Sequence, residues 1–202
     1  MVSHPVPARL PAVLLALALF EACLSGSAIA ETGRWVVDSG KSRVGFDAFH
    51  PTGNFSGASE TPSGEVELDS EDLKKPIKGA LTVSVASLRT GKAGRDKDLR
   101  RALDGERHPE IRYRIDKVES SFQSLTENTD VMLTLHGVLS MRGTERPVSF
   151  MARVRLRQGA LWVRGESRLR PADFGVPPLR SWLVSMREYV LATFDLILSK
   201  AN

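Results

Sequence analysis

Apolar and polar residues alternate with a period of two over most of the second half and centre of the chain. Trp35 and Val37 alternate with Arg34 and Asp38, and Val44, Phe46 and Ala48 with Arg43 and Asp47. Val66 and Leu68 sit among Glu65, Glu67 and Asp69, and Leu81, Val83 and Val85 alternate with Thr82 and Ser84. Further on, Ile111, Tyr113 and Ile115 oppose Arg112, Arg114 and Asp116. The rows Val131 to Leu139, Val148 to Leu156, Leu161 to Leu169 and Val190 to Leu198 follow the same rule. Successive side chains of a strand point to opposite faces, so each run predicts a strand with one buried and one wet face. Such strands belong to an antiparallel sheet. Arg142-Gly143-Thr144-Glu145 and Gln158-Gly159-Ala160 are hairpin signals between runs. Many short strands with few helices predict an all-β barrel or sandwich, and strands as long as 146–157 favour the barrel, which leaves no exposed edge.

The alternation breaks at one place, residues 88–115. A charged segment there has helix-forming composition over Ala93–Leu103, with Leu99 and Leu103 four apart on one face. Thr90-Gly91 ends the preceding strand, and Gly105 with His108-Pro109 ends the helix. This predicts a short helix over one barrel opening. Arg95 and Asp96 either form an ion pair that fixes the loop, or Arg95 with Arg89 meets the polar head of a ligand. A second interruption, Pro171 to Pro178 followed by Trp182, Leu183, Val184 and Met186, reads either as a rigid crossover or as a gate with Phe174 or Trp182 over the channel.

Small residues lie in the inward rows: Ala48, Ser87, Gly137, Ala152, Gly165, Ser167 and Ala192. In a barrel of about eight strands they either open a ligand cavity or face large side chains across a packed core. Spacing alone leaves both open.

Composition narrows the class. Arg9, an apolar run from Leu10 to Phe20 and the small residues Ala28-Ile29-Ala30 form a leader pattern, with cleavage expected after Ala30. That gives a signal peptide over 1–30 and one domain over 31–202. The single cysteine, Cys23, falls in the leader, where the residues before it fit a lipoprotein site poorly. The remaining chain then has no disulfide and no cysteine nucleophile. The formal charge of +4 is carried by arginines interspersed along strands, a solvated face and not the aromatic-laced patch of a nucleic-acid binder. His50, His108 and His136 are dispersed, which argues against a metal site. His50 continues the inward row of Val44, Phe46 and Ala48. No nucleophile elbow or phosphate-binding loop is present, and the paired Glu65 and Glu67 sit on an outward face.

Five stretches in register carry a resemblance: W-V-V-D-S-G-K-S-R-V-G-F at 35–46, T-G-x-x-x-R-D-x-x-L at 90–99 and H-P-x-I at 108–111. H-G-V-L-S-M-R-G-T-E-R-P-V-S-F at 136–150 and A-D-F-G-V at 172–176 complete the set. In these the chain resembles the YceI-like family of exported, lipocalin-like proteins. The resemblance implies an extended eight-stranded antiparallel barrel with a short helical insertion and a long apolar channel. It implies a polyisoprenoid ligand, such as an isoprenoid quinone or polyprenyl phosphate, or another long-chain amphiphile, no cofactor, and a non-enzymatic carrier in the periplasm or outside the cell. Contact with a membrane surface would serve ligand exchange. An enzyme acting on such a lipid and a ligand-free interaction barrel are the alternatives. The residues expected against the ligand are Phe46, Ala48, His50, Val83, Val85, Arg95, Leu99, Leu103, Tyr113, Leu135, Phe150, Ala152, Gly165, Phe174 and Phe194. The chain departs from the family pattern at Asp98 and Arg142, where histidine is frequent, and the loop after His50, Pro51 to Gly57, looks short.

Overall fold

The period-two runs become ten strand segments in one antiparallel sheet. The computed structural model describes residues 32–49, 54–177 and 188–201. The segments are β1 (Gly33–Val37), β2 (Arg43–Ala48), β3 (Phe55–Ser59), β4 (Ser63–Leu68) and β5 (Lys78–Ser84). The helix α1 (Ala93–Ala102) follows, then β6 (Glu110–Ser120), β7 (Asp130–Met141), β8 (Thr144–Arg157), β9 (Ala160–Leu169) and β10 (Val190–Lys200). The leader, His50 and the stretch with Trp182 to Met186 lie outside the described residues.

The sheet runs β1-β4-β5-β6-β7-β8-β9-β10-β2-β3, and β1 also pairs with β10 through Trp35↔Lys200, Val36↔Ser199 and Val37↔Leu198. That pairing closes the wall. β1 and β2 both lie along β10, and β4 and β3 lie along them in turn, so each of these pairs is one broken strand. Counted that way, the ten segments make a closed barrel of eight strands. Both breaks fall at the same level. A short 3-10 turn at Ser39–Lys41 is capped by the Asp38 carboxylate, which accepts from the Gly40 amide at 3.1 Å. Pro62 stands between β3 and β4, and Ser39 Oγ donates to its carbonyl at 2.7 Å, tying the two breaks together.

Phe55 to Gly57, expected as loop, belong to strand β3, because Ala48↔Phe55 and Phe46↔Gly57 pair across the hairpin. Glycine, serine and alanine dominate this strand, so it has almost no alternation to detect. Val85 is also corrected: it begins a 3-10 turn after β5, its amide donating to the Pro109 carbonyl at 2.8 Å.

The two hairpin signals are tight two-residue turns. Arg142 and Gly143 have φ of 53° and 73°, and Gln158 and Gly159 have 51° and 71°. Positive φ at both central residues matches the right-handed twist of the flanking strands. The inward rows form one continuous core from Trp35 to Leu198. The arginines lie outside as expected, several in ion pairs, such as Arg155–Asp130 at 2.7 Å and Arg164–Asp195 at 2.6 Å. One barrel end is filled by loops: the Leu73 amide donates to the Gln123 carbonyl and the Leu125 amide to the Ser70 carbonyl, both at 2.7 Å. Both leucines are buried there.

Candidate apolar ligand site

The other end carries α1 and the site. Side chains of Leu99, Ala102 and Leu103 project down from the helix onto a cavity of about 180 Å³. Its wall is apolar, with the rings of Phe46, Phe55, Tyr113, Phe150 and Phe194 among its members and Thr193 the main polar exception.

The cap is held by hydrogen bonds. Asp96, only 7% exposed, accepts from the Thr90 amide at 2.7 Å and from Thr90 Oγ1 at 2.6 Å. The Thr90 hydroxyl holds the Asp96 carboxyl below its ordinary range, against the opposing effect of burial. The helix stops in a Schellman arrangement: the Gly105 amide reaches the Arg100 carbonyl at 2.9 Å and the Asp104 amide the Arg101 carbonyl at 3.0 Å. Asp104, with φ of 54°, takes the left-handed position that glycine usually fills, and Gly105 comes one residue later. The Arg95–Asp96 ion pair does not form. Asp96 is turned back to Thr90, while the Arg95 guanidinium lies 4.5 Å from the centre of the Phe55 ring. Arg89 bonds the carbonyls of Ala86 and Leu88.

Midway down the barrel, three rings meet. Tyr113 packs edge-on against Phe150 with centroids 5.0 Å apart, and Phe150 against Phe194 at 5.4 Å. Tyr113 Oη donates to the carbonyls of Leu135 or Val148, each 3.0 Å away. Burial pushes that hydroxyl above its ordinary value of 10.0. Beyond the rings lies a second cavity of about 80 Å³, and Leu81, Tyr113 and Phe194 border both.

A sequence profile of the YceI-like domain matches residues 35–196. The chain belongs to the YceI-like family. Its barrel is similar to BcnA of Burkholderia cenocepacia, with a TM-score of 0.67 at 18% identity over 80% of this chain and 98% of that one. A polyisoprenoid-binding domain from Saccharophagus degradans, implicated in plant cell wall breakdown, gives 0.67 at 15% identity over 85% and 100%. A YceI protein of Campylobacter jejuni gives 0.56 at 13% over 72% and 84%. Identities this low carry the fold alone. No curated protein sequence matches the chain.

Of the residues expected against a ligand in this YceI-like barrel, Phe46, Ala48, Val83, Leu99, Leu103, Tyr113, Phe150 and Phe194 stand on the wall of the larger cavity. Leu135 stands on the smaller one. His50 lies outside the described residues. The others are placed differently. Val85 is 1% exposed and packs against Gly105. Phe174, 2% exposed, is part of the packed core, and Arg95 lies over Phe55. Ala152 is fully buried outside both cavity walls. Gly165 stands on neither of these two walls: a Cβ there would lie 2.3 Å from Phe194 Cζ. Gly137 likewise seats Tyr113, whose Cζ would be 2.9 Å from an added Cβ. At these two glycines the small inward residue accommodates a ring, whereas Ala48 and Ala192 do open onto the cavity.

Sequence reasoning missed Phe55, which lay in the stretch read as loop. It also left out Leu139, Met141 and Ile111, although the first and last were already in inward rows. Leu169, at the end of β9, and Pro171 and Val176, from the second interruption, also line this cavity. His136 is outside the site, bonded through Nδ1 to Ser149 Oγ at 2.8 Å, and His108 packs on Gly143. Among the described residues no three His, Asp or Glu side chains converge as metal ligands. Of the family departures, Asp98 pairs with Arg101 at 3.1 Å on the outer side of α1, and Arg142 forms the β7–β8 turn beside Gly175.

Proposed function

We propose that this protein is a carrier that holds the apolar tail of a long-chain amphiphile, such as an isoprenoid quinone or polyprenyl phosphate, in the cavity beneath α1. The cavity itself carries the reading: an apolar space of about 180 Å³ at the mouth end of a closed barrel, walled by aromatic and aliphatic side chains. Each methylene buried there contributes about 0.8 kcal/mol, so a short length of tail gives substantial affinity. The likeness to a polyisoprenoid-binding domain supports an isoprenoid as the tail. Tyr113, the titratable side chain on that wall, has its proton committed to backbone carbonyls, which favours binding over acid–base catalysis. The leader pattern supports export to the periplasm, with cleavage near Ala30.

One purification from the native host tests this. The intact mass of the periplasmic protein is expected to correspond to a chain beginning at Glu31, and the denatured protein to release a stoichiometric lipid whose fragmentation shows isoprene spacing. Repeated recovery without stoichiometric lipid overturns the carrier reading.

A further inference from the structure

Resting on that carrier reading, we propose that the Tyr113–Phe150–Phe194 cluster is a stop that limits how deep a tail can enter, and that Phe194 sets the limit. Among the described residues the barrel interior holds a larger and a smaller cavity, about 180 and 80 Å³, with Tyr113 and Phe194 on the walls of both. An apolar cavity of ~150 Å³ admits a benzene-sized group, so the larger compartment takes roughly one to two isoprene units and the smaller less than one.

The rings of the stop are held unequally. Tyr113 is a fixed post, its ring against Gly137 and its hydroxyl bonded to backbone carbonyls on β7 and β8. Phe194 has no polar tether. It is kept across the interior by the missing side chain of Gly165, its cross-strand partner in β9, where the ring tip fills the place of a Cβ. Trimming Phe194 therefore joins the compartments, while the cap and mouth stay as they are. The barrel as built selects the amphiphile whose tail ends at the rings, and longer tails gain nothing from the second compartment.

Equilibrium dialysis of geraniol, farnesol and geranylgeraniol, each longer by one isoprene unit, tests this on the wild-type protein, Phe194→Ala and Phe194→Leu. Taking the ratio of wild-type to variant Kd for each alcohol cancels the general gain from leaving water. The ratio is expected to rise with chain length, by about tenfold or more in favour of Phe194→Ala between geraniol and geranylgeraniol, whose added carbons enter the joined space. Phe194→Leu, which keeps more of the core volume, is expected to shift in the same direction by less. A ratio that stays the same across the three alcohols in both variants overturns the stop and leaves the carrier reading standing. Failure of every alcohol to bind wild type and variants overturns both.

Discussion

Gly165 and Gly137 show what a missing methyl group does in this core. A Cβ on Gly165 would come within 2.3 Å of Phe194 Cζ and 2.8 Å of the Met151 carbonyl, so the ring must leave its seat. Overpacking of this kind costs about 1–3 kcal/mol. Gly165→Ala is expected to lower the melting temperature, and Phe194→Leu in the same chain to recover part of the loss; an unchanged melting temperature would refute the contact. At Gly137 the nearest obstacle is the Arg114 carbonyl, 2.0 Å from an added Cβ, and backbone cannot swing aside as a ring can. Gly137→Ala is expected to be the more damaging of the two. Both glycines were visible in the sequence as small members of inward rows, but what they faced was not. Spacing along a strand says which side a residue points to, and the partner across the barrel is fixed only by register and closure.

At the level of elements, one carboxylate, that of Asp96, ties the first turn of α1 to Thr90. The Asp96 carboxyl titrates below its ordinary 3.8 in the folded protein, mainly through the Thr90 hydroxyl. A depressed folded pKa means the stabilisation is complete above the unfolded value and drains away as pH falls through the lowered one. Hydrogen exchange of the α1 amides is therefore expected to accelerate selectively below about pH 4, relative to β7 and β8. Asp96→Asn, which cannot ionise, is expected to remove that pH dependence. If α1 and the barrel strands lose protection together, the cap is not separately anchored. The helix itself was legible to within a residue, because leucines four apart, a charged surface and flanking breakers all agree. Its anchoring was not, since neighbouring arginine and aspartate suggest a pair that local geometry turns apart. β3 escaped for a different reason: a strand of Phe-Ser-Gly-Ala-Ser is specified by its hairpin partner and by the Ala58–Arg89 bridge, not by its own pattern.

For the whole molecule, a tail bound only by the folded barrel shifts the folding equilibrium by mass action. At a free ligand concentration of 100 times Kd the gain is about 2.7 kcal/mol, and for a domain of this size each kcal/mol moves the melting temperature by about 2–4 °C. Saturation with the co-purified lipid is expected to raise the melting temperature by roughly 5–10 °C on those scales, and a lipid that leaves it unmoved is not bound in the core. The barrel was readable from alternation and its closure was not, because the closing contact joins residues as far apart in sequence as Trp35 and Lys200. That contact has a kinetic meaning. Hairpins such as β7–β8 and β8–β9 can form from local chain, but β1 has no partner on one flank until β10 exists. The wall can be sealed only after almost the entire chain is present, and long loop closure of this kind makes folding slow. Through that interval the apolar inner face stays open to its surroundings, so the growing or emerging chain is at its most vulnerable to aggregation just before its last strand arrives.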